Sequence, residues 1–183
     1  MTYVTLFGLI AATGLRISEA LALLCTDITE DGLLIRNTKF RKSRIVPIHD
    51  TTKNALDAYL LMRVRQNTSD EHLFIFTSGR ASGRPLPYST VQIAFSHLAR
   101  SIGLRGETGR RDPRIHDLRH TFAVRSLERC GHNQKDAARH ILTLSTYLGH
   151  ASVTDTYWYL EATQPLMTAI AQAGETLFRR SAP

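Results

Sequence analysis

DITEDGLLIRNTKFRKSRIVPI, residues 27–48, is where the periodicity of the chain changes. Before it, TYVTLFGLIAAT (2–13) is an almost continuous apolar helical run that Gly14 can close, and ISEALALL (17–24) has the spacing of a short amphipathic helix. Inside the stretch, Asp31-Gly32 is a turn signal between Asp27-Ile28 and Leu33-Leu34-Ile35-Arg36, and Arg44-Ile45-Val46-Pro47-Ile48 is a further short apolar run. These predict three short antiparallel strands, with a basic loop, Lys39 to Arg44, between the last two. After it the helical pattern returns. Thr51-Thr52 can cap a helix over roughly 52–66, and Ser89 or Thr90 one over 88–102. Leu73-Phe74-Ile75-Phe76 reads as a strand or a buried turn. Further helices are predicted over 116–130, 134–148, near 153–160 and over 163–179, and the loops 77–87 and 103–114 are rich in arginine. The predicted class is α+β, mainly helical, with a small three-stranded antiparallel sheet at one edge.

Composition narrows the function classes. Of 183 residues, 43% are hydrophobic and 21% charged, which excludes a mainly disordered chain. Lysine and arginine number 23 against 16 acidic residues, a net charge of +7 that points to a polyanionic partner. Charge alone does not separate nucleic acid from an anionic membrane, but no apolar run approaches the ~18 residues of a span. Met1-Thr2-Tyr3-Val4 lacks the basic start of an export signal. The two cysteines, Cys25 and Cys130, are far apart and form neither a disulfide framework nor a CxxC pair, which suits a reducing, cytoplasmic setting.

Four segments set polar side chains against apolar helical patterns: Thr13-Gly14-Leu15-Arg16-Ile17-Ser18-Glu19; Lys39 in its basic loop; His116-Asp117-Leu118-Arg119-His120; and Leu148-Gly149-His150, followed by Tyr159. On a helix His116, Arg119 and His120 share one face. Two histidines at that spacing can bind a metal, but the guanidinium between them disfavours one, and no metal is expected. The same face suits a phosphate: arginine offers planar paired donors, and histidine exchanges a proton near neutral pH. A helix start with polar caps is the plainer reading of that segment. Arg16 and Glu19 are likewise spaced as an ordinary ion pair or as an arginine with its orienting acid.

TGLRISEALAL, HDLRHTFA and YLGHASVTDTYWYL together resemble the boxes of the tyrosine recombinases, the phage-integrase family, with Tyr159 nine residues after His150 as in that family. The resemblance covers roughly residues 2–162 and implies that family's catalytic-domain fold. It implies catalytic roles for Arg16, Lys39, His116, Arg119, His150 and Tyr159, and supporting roles for Glu19, Asp117 and His120. Lys39 is the family's lysine by its distance from Arg44-Ile45-Val46-Pro47, with Lys42 the alternative. Tyr157 is the alternative nucleophile; it and Tyr159 point ~200° apart on a helix, so one of them meets the phosphate. Arg41, Lys42, Arg44, Arg80, Arg84, Arg110 and Arg111 are candidate contacts to the DNA backbone, part of them plain surface charge.

The activity so implied is site-specific DNA recombination through a covalent 3′-phosphotyrosyl intermediate, without metal, cofactor or ATP. Double-stranded DNA is the expected partner. A homotetramer is expected on DNA and a monomer in isolation, with no membrane association and a cytoplasmic, nucleoid-associated location in a bacterium or from a phage. Two alternatives stand beside this: a DNA-binding module without productive recombination, and an activity like that of type IB topoisomerases. The family carries an upstream DNA-clamping domain. With nothing before Met1, the expectation is a single catalytic domain over 1–183 with that clamp absent. Leu160-Glu161 stands where many members have Thr-His, residues 131–140 are more polar than usual, and a terminal amphipathic helix over 163–179 has to dock in cis or on a neighbouring copy.

Overall fold

The computed structural model describes residues 1–36, 43–66, 68–104, 111–129, 134–150, 152 and 156, with the side chains of 134–138 excepted. The elements in order are α1 (Thr2–Thr13), α2 (Ile17–Leu21), a 3₁₀ turn (Cys25–Asp27), β1 (Ile28–Thr29), β2 (Gly32–Ile35), β3 (Arg44–Val46), α3 (Asp50–Val64), α4 (Tyr88–Ser101), α5 (Ile115–Glu128) and α6 (Gln134–Leu148). The class is the predicted one, mainly helical with a three-stranded antiparallel sheet in the order β1-β2-β3. The helices expected near 153–160 and over 163–179 lie outside the described residues.

Two compact units divide the chain, Met1–Arg119 and His120–Pro183, a division inside α5 that no linker composition marks. In the first unit α1 packs on α3 and α2, and α2 also meets α4. Leu6, Leu9 and Ile10 of α1 are fully buried, and Phe7 meets Phe95 of α4 edge-on at 5.3 Å between ring centres. The sheet registers Leu33 opposite Val46 and Ile35 opposite Arg44. Alternation along the strands therefore puts Leu33, Ile35, Val46 and Arg44 on one face. The three apolar members of that set are buried, whereas Ile45, on the other face, is half exposed.

Helix caps differ from the sequence expectation at two places. His49, not a threonine, caps α3, its Nδ1 accepting from the Thr51 N–H, so the helix begins at Asp50. Pro87 precedes α4, which starts at Tyr88 as the spacing predicts but without the side-chain cap expected from Ser89 or Thr90; proline's fixed φ suits the turn into the helix. Helix α2 ends at Leu21, earlier than the spacing predicts, because Leu23 and Leu24 leave the helix to meet an incoming segment. The Leu73 N–H donates to the Leu23 carbonyl, the Cys25 N–H to the Glu71 carbonyl, and Leu24 bridges to His72. Leu73-Phe74-Ile75 is the buried turn alternative, with one further bridge from Ile75 to Pro85.

The segment is clamped from α3 by Arg63, which is 5% exposed. Its Nη2 donates to the carbonyls of Asp70 and His72 at 2.5 and 3.1 Å, and its Nε to His72 at 3.3 Å. In the second unit, Ala123 and Leu127 of α5 pack with Ile141, Leu144 and Leu148 of α6, and Phe122 stacks on Tyr147 at 5.7 Å. Arg63→Met keeps the buried stem and deletes the donors. It should lower the free energy of unfolding of the purified chain by about 2–3 kcal/mol in urea titrations, because charged hydrogen bonds to carbonyls are lost together.

Candidate active site

Gly14 ends α1 in the left-handed conformation (φ 64°), its N–H donating to the Ile10 carbonyl. That geometry suits glycine, since a Cβ would crowd the following carbonyl. The chain then turns through Leu15, which is buried, and delivers Arg16 to the start of α2 in extended conformation. Glu19, one helical turn on, reaches back. Its Oε2 accepts from the Arg16 N–H and its Oε1 from Arg16 Nη1, both at 3.0 Å. The Arg16 side chain remains one-third exposed.

A second guanidinium holds the same carboxylate. Arg44, at the start of β3, donates from Nη1 to Glu19 Oε1 and from Nη2 to Oε2, each at 3.0 Å, with its side chain 15% exposed and that of Glu19 8%. Burial pushes the Glu19 carboxyl upward. The hydrogen bonds from Arg44 and the Arg16 N–H, and the charges of both arginines, outweigh it and hold the group below the usual carboxylate range. Arg44, read from sequence as a loop cation for DNA, is thus turned onto Glu19. At the opposite end of the β2–β3 connection, Arg36 Nε bonds buried Asp27 at 2.5 Å.

Helix α5 supplies the third component. Arg119 is 1% exposed, and its Nη1 donates to the Gly14 carbonyl at 2.6 Å. Two boxes more than a hundred residues apart in sequence therefore meet, with Arg119 bonded two residues before Arg16. His116, one turn before Arg119, is exposed. Asp117 secures the helix start: its Oδ2 accepts from the Arg114 N–H at 2.7 Å. His120 opens the second unit and is half-buried.

In that second unit α6 closes on another left-handed glycine, Gly149 (φ 67°). The His150 N–H donates to the Ser145 carbonyl at 3.0 Å, and the His150 ring engages the buried Thr156 hydroxyl through Nδ1 at 2.8 Å. Arg80, Arg84 and Arg111 are exposed in their loops. Lys39, Arg41, Lys42, Arg110, Tyr157 and Tyr159 lie outside the described residues. Among the described residues no three His, Cys, Asp or Glu side chains gather as a metal site. No helix among them is long and apolar enough to cross a membrane.

Two partners, the Gly14 carbonyl and Thr156, were not among the sequence candidates; Arg44 was, but as a loop cation. The Gly14 carbonyl carries no side-chain signal. Thr156 sits six residues past His150, and nothing in the spacing of a lone threonine marks it as a histidine's partner. Arg44's direction follows from strand alternation with Val46, a clue that the apolar Ile45 beside it obscures.

Residues 1–165 match the phage integrase family. The chain belongs to that family. A putative integrase/recombinase, y4rB, from Sinorhizobium fredii is 44% identical over 170 residues, 91% of this chain and 53% of the relative. Tyrosine recombinase XerD of Chlamydia trachomatis is 33% identical over 152 residues, 81% of this chain and 44% of the relative. The chain spans about half the length of the curated relatives it matches. Among solved structures, the XerH site-specific recombinase bound to its palindromic difH substrate, in a post-cleavage complex, superposes with a TM-score of 0.70 at 26% identity, covering 94% of this chain and 46% of that one. XerA recombinase superposes at 0.68 and 25% identity, covering all of this chain and 62% of that one.

The Glu19 junction is pH-sensitive in a defined direction. Because its folded carboxyl is held below the ordinary value of 4.5, it adds stability that is fully present above that pH and is lost as pH falls through the folded value. Urea titrations should therefore show wild type more stable than Glu19→Gln at pH 7, with the gap closing in the acid range below about pH 4.5.

Proposed function

We propose that this integrase-family chain is the catalytic part of a site-specific DNA recombinase that cuts and rejoins strands through a 3′-phosphotyrosyl intermediate. One observation carries most weight: buried Arg119 bonds the Gly14 carbonyl, tying the His-x-x-Arg box to the turn that presents Arg16. Two arginines held through fixed partners suit the two non-bridging oxygens of a phosphodiester, where charge builds as a fifth oxygen approaches phosphorus.

In this reading the Tyr159 phenolic oxygen attacks phosphorus and its proton passes to His116. The bond from phosphorus to the 5′-oxygen breaks, and Lys39 protonates the departing 5′-hydroxyl. His150, its ring oriented by Thr156, hydrogen-bonds the scissile phosphate. The new phosphodiester to tyrosine conserves the bond, so a 5′-hydroxyl from another duplex reverses the step without ATP. Exchange between two duplexes breaks four strands, one tyrosine each, which calls for a homotetramer on DNA. The +7 charge supplies attraction to the backbone that weakens with salt. Double-stranded DNA is the partner, and the cell compartment holding that DNA is the site of action.

The test uses nicked suicide duplexes tiled across the DNA flanking the chain's own gene, stopped with SDS and resolved on denaturing gels beside native gels. Wild type should give a covalent protein–DNA adduct that disappears in Tyr159→Phe. Arg119→Lys should reduce adduct formation on the order of 10²–10³-fold while native binding changes little. An adduct that survives in Tyr159→Phe reassigns the nucleophile to Tyr157. A salt-sensitive native shift with no adduct from wild type overturns the catalytic reading in favour of a binding module.

A further inference from the structure

We infer that Arg44 is a positioning residue for the cleavage step: it occupies Glu19 so that Arg16 faces the phosphate with its charge unquenched. The inference rests on the proposed reading of Arg16 as a phosphate-binding arginine. Three charged groups meet here. Glu19 is shared by Arg16, which gives it one guanidinium nitrogen and the backbone N–H, and by Arg44, which gives it a two-pronged contact. The trio carries one net positive charge. Without Arg44, the largely buried Glu19 carboxylate would set its full charge against Arg16, offsetting it and competing with a phosphate for its donors.

The geometry favours this role over direct contact with DNA. Arg44 lies opposite Ile35 and on the same face as Val46, the buried face of the sheet, and both of its terminal nitrogens face Glu19. Its side chain is less than half as exposed as that of Arg16, 15% against 33%. Arg44 also fixes the start of β3 to the start of α2, so the strand that leaves the basic loop is registered to the Arg16 turn.

A neutral phosphate separates this role from the alternatives. In a methylphosphonate, a methyl group replaces one non-bridging oxygen and removes the negative charge that Arg16 is proposed to meet. Single-turnover cleavage is measured at saturating protein on a nicked duplex carrying either a phosphodiester or a methylphosphonate at the cut position, with DNA affinity measured against salt. Arg44→Gln should slow phosphodiester cleavage by roughly 10–100-fold. Both it and Arg16→Ala should lose no more than about threefold on the methylphosphonate, where charge is no longer required. Arg44→Lys keeps the charge without the fork, so it should show the same substrate selectivity with a smaller loss. It carries the test if melting curves show that Arg44→Gln is unfolded at the assay temperature. Equal slowing of the Arg44 variants on both substrates overturns the proposal, as does weaker binding with unchanged cleavage at saturation, which marks a DNA contact. If Arg16→Ala cleaves the phosphodiester at the wild-type rate, the reading of Arg16 itself has failed. If Arg16→Ala is substrate-selective and the Arg44 variants are not, only the present inference has.

Discussion

A guanidinium is not left in a protein interior without acceptors, and Arg119, at 1% exposure, is bonded to the carbonyl of Gly14. Its position is apt for a cation. Gly14 closes α1, and the last carbonyls of a helix carry partial negative charge. The cost of taking the charge out of water is offset only if that end of α1 is held where Arg119 emerges from α5. The packing of Leu6, Leu9 and Ile10 does this, and Phe7 against Phe95 adds to it. A large apolar helix thus serves to hold one backbone oxygen in place. Arginine is the suitable residue because it stays charged when buried and its fixed fork directs donors in more than one direction.

Glu19 is the second junction and is built differently. Arg119 depends on a backbone acceptor, whereas Glu19 gathers three elements through side chains: the turn after α1, the first turn of α2 and the start of β3. A carboxylate buried with a single cation is a weak source of stability, because desolvation of both groups consumes much of their attraction. Two guanidiniums and a backbone N–H alter that balance, which is why the group stays ionised despite burial. The asymmetry within the trio matters for chemistry. The partner with the two-pronged contact is the less exposed, and the partner left one-third in solvent is the one proposed to meet the phosphate.

The fold was largely legible because its signals are local. The apolar run ending at Gly14, the Asp31-Gly32 turn and the helical spacing of 134–148 each need only a few neighbouring residues to be read. The misses needed tertiary information. His49 caps α3 although the threonines that follow it are commoner caps, and Pro87 starts α4 by backbone geometry alone. Helix α2 stops short because Leu73 and Glu71 arrive to pair with Leu23 and Cys25, a contact some fifty residues distant in sequence. At the site, residue types were readable but directions were not. Arg44 stands among Arg41, Lys42 and Ser43, and a run of basic residues reads as one surface. Only the pairing of Ile35 with Arg44 shows that the last of them lies on the strand face shared with buried Val46.

Two of the boxes in this chain carry a glycine one or two residues before the proposed site residue. Gly14 and Gly149 end α1 and α6 with φ of 64° and 67°. At α1 one hydrogen bond, Gly14 N–H to the Ile10 carbonyl, closes the helix. At α6 the Gly149 and His150 N–H groups bond back to Thr146 and Ser145, the paired pattern of a Schellman close. In each case the left-handed residue ends the helix, so Arg16, two residues on, and His150, the next residue, leave it in directions set by the cap. Arg16 is then caught by Glu19, and His150 by Thr156. A functional side chain within a regular helix inherits that helix's 100° spacing. One placed just past a left-handed glycine is aimed by the cap, and needs only a single partner to lock its orientation.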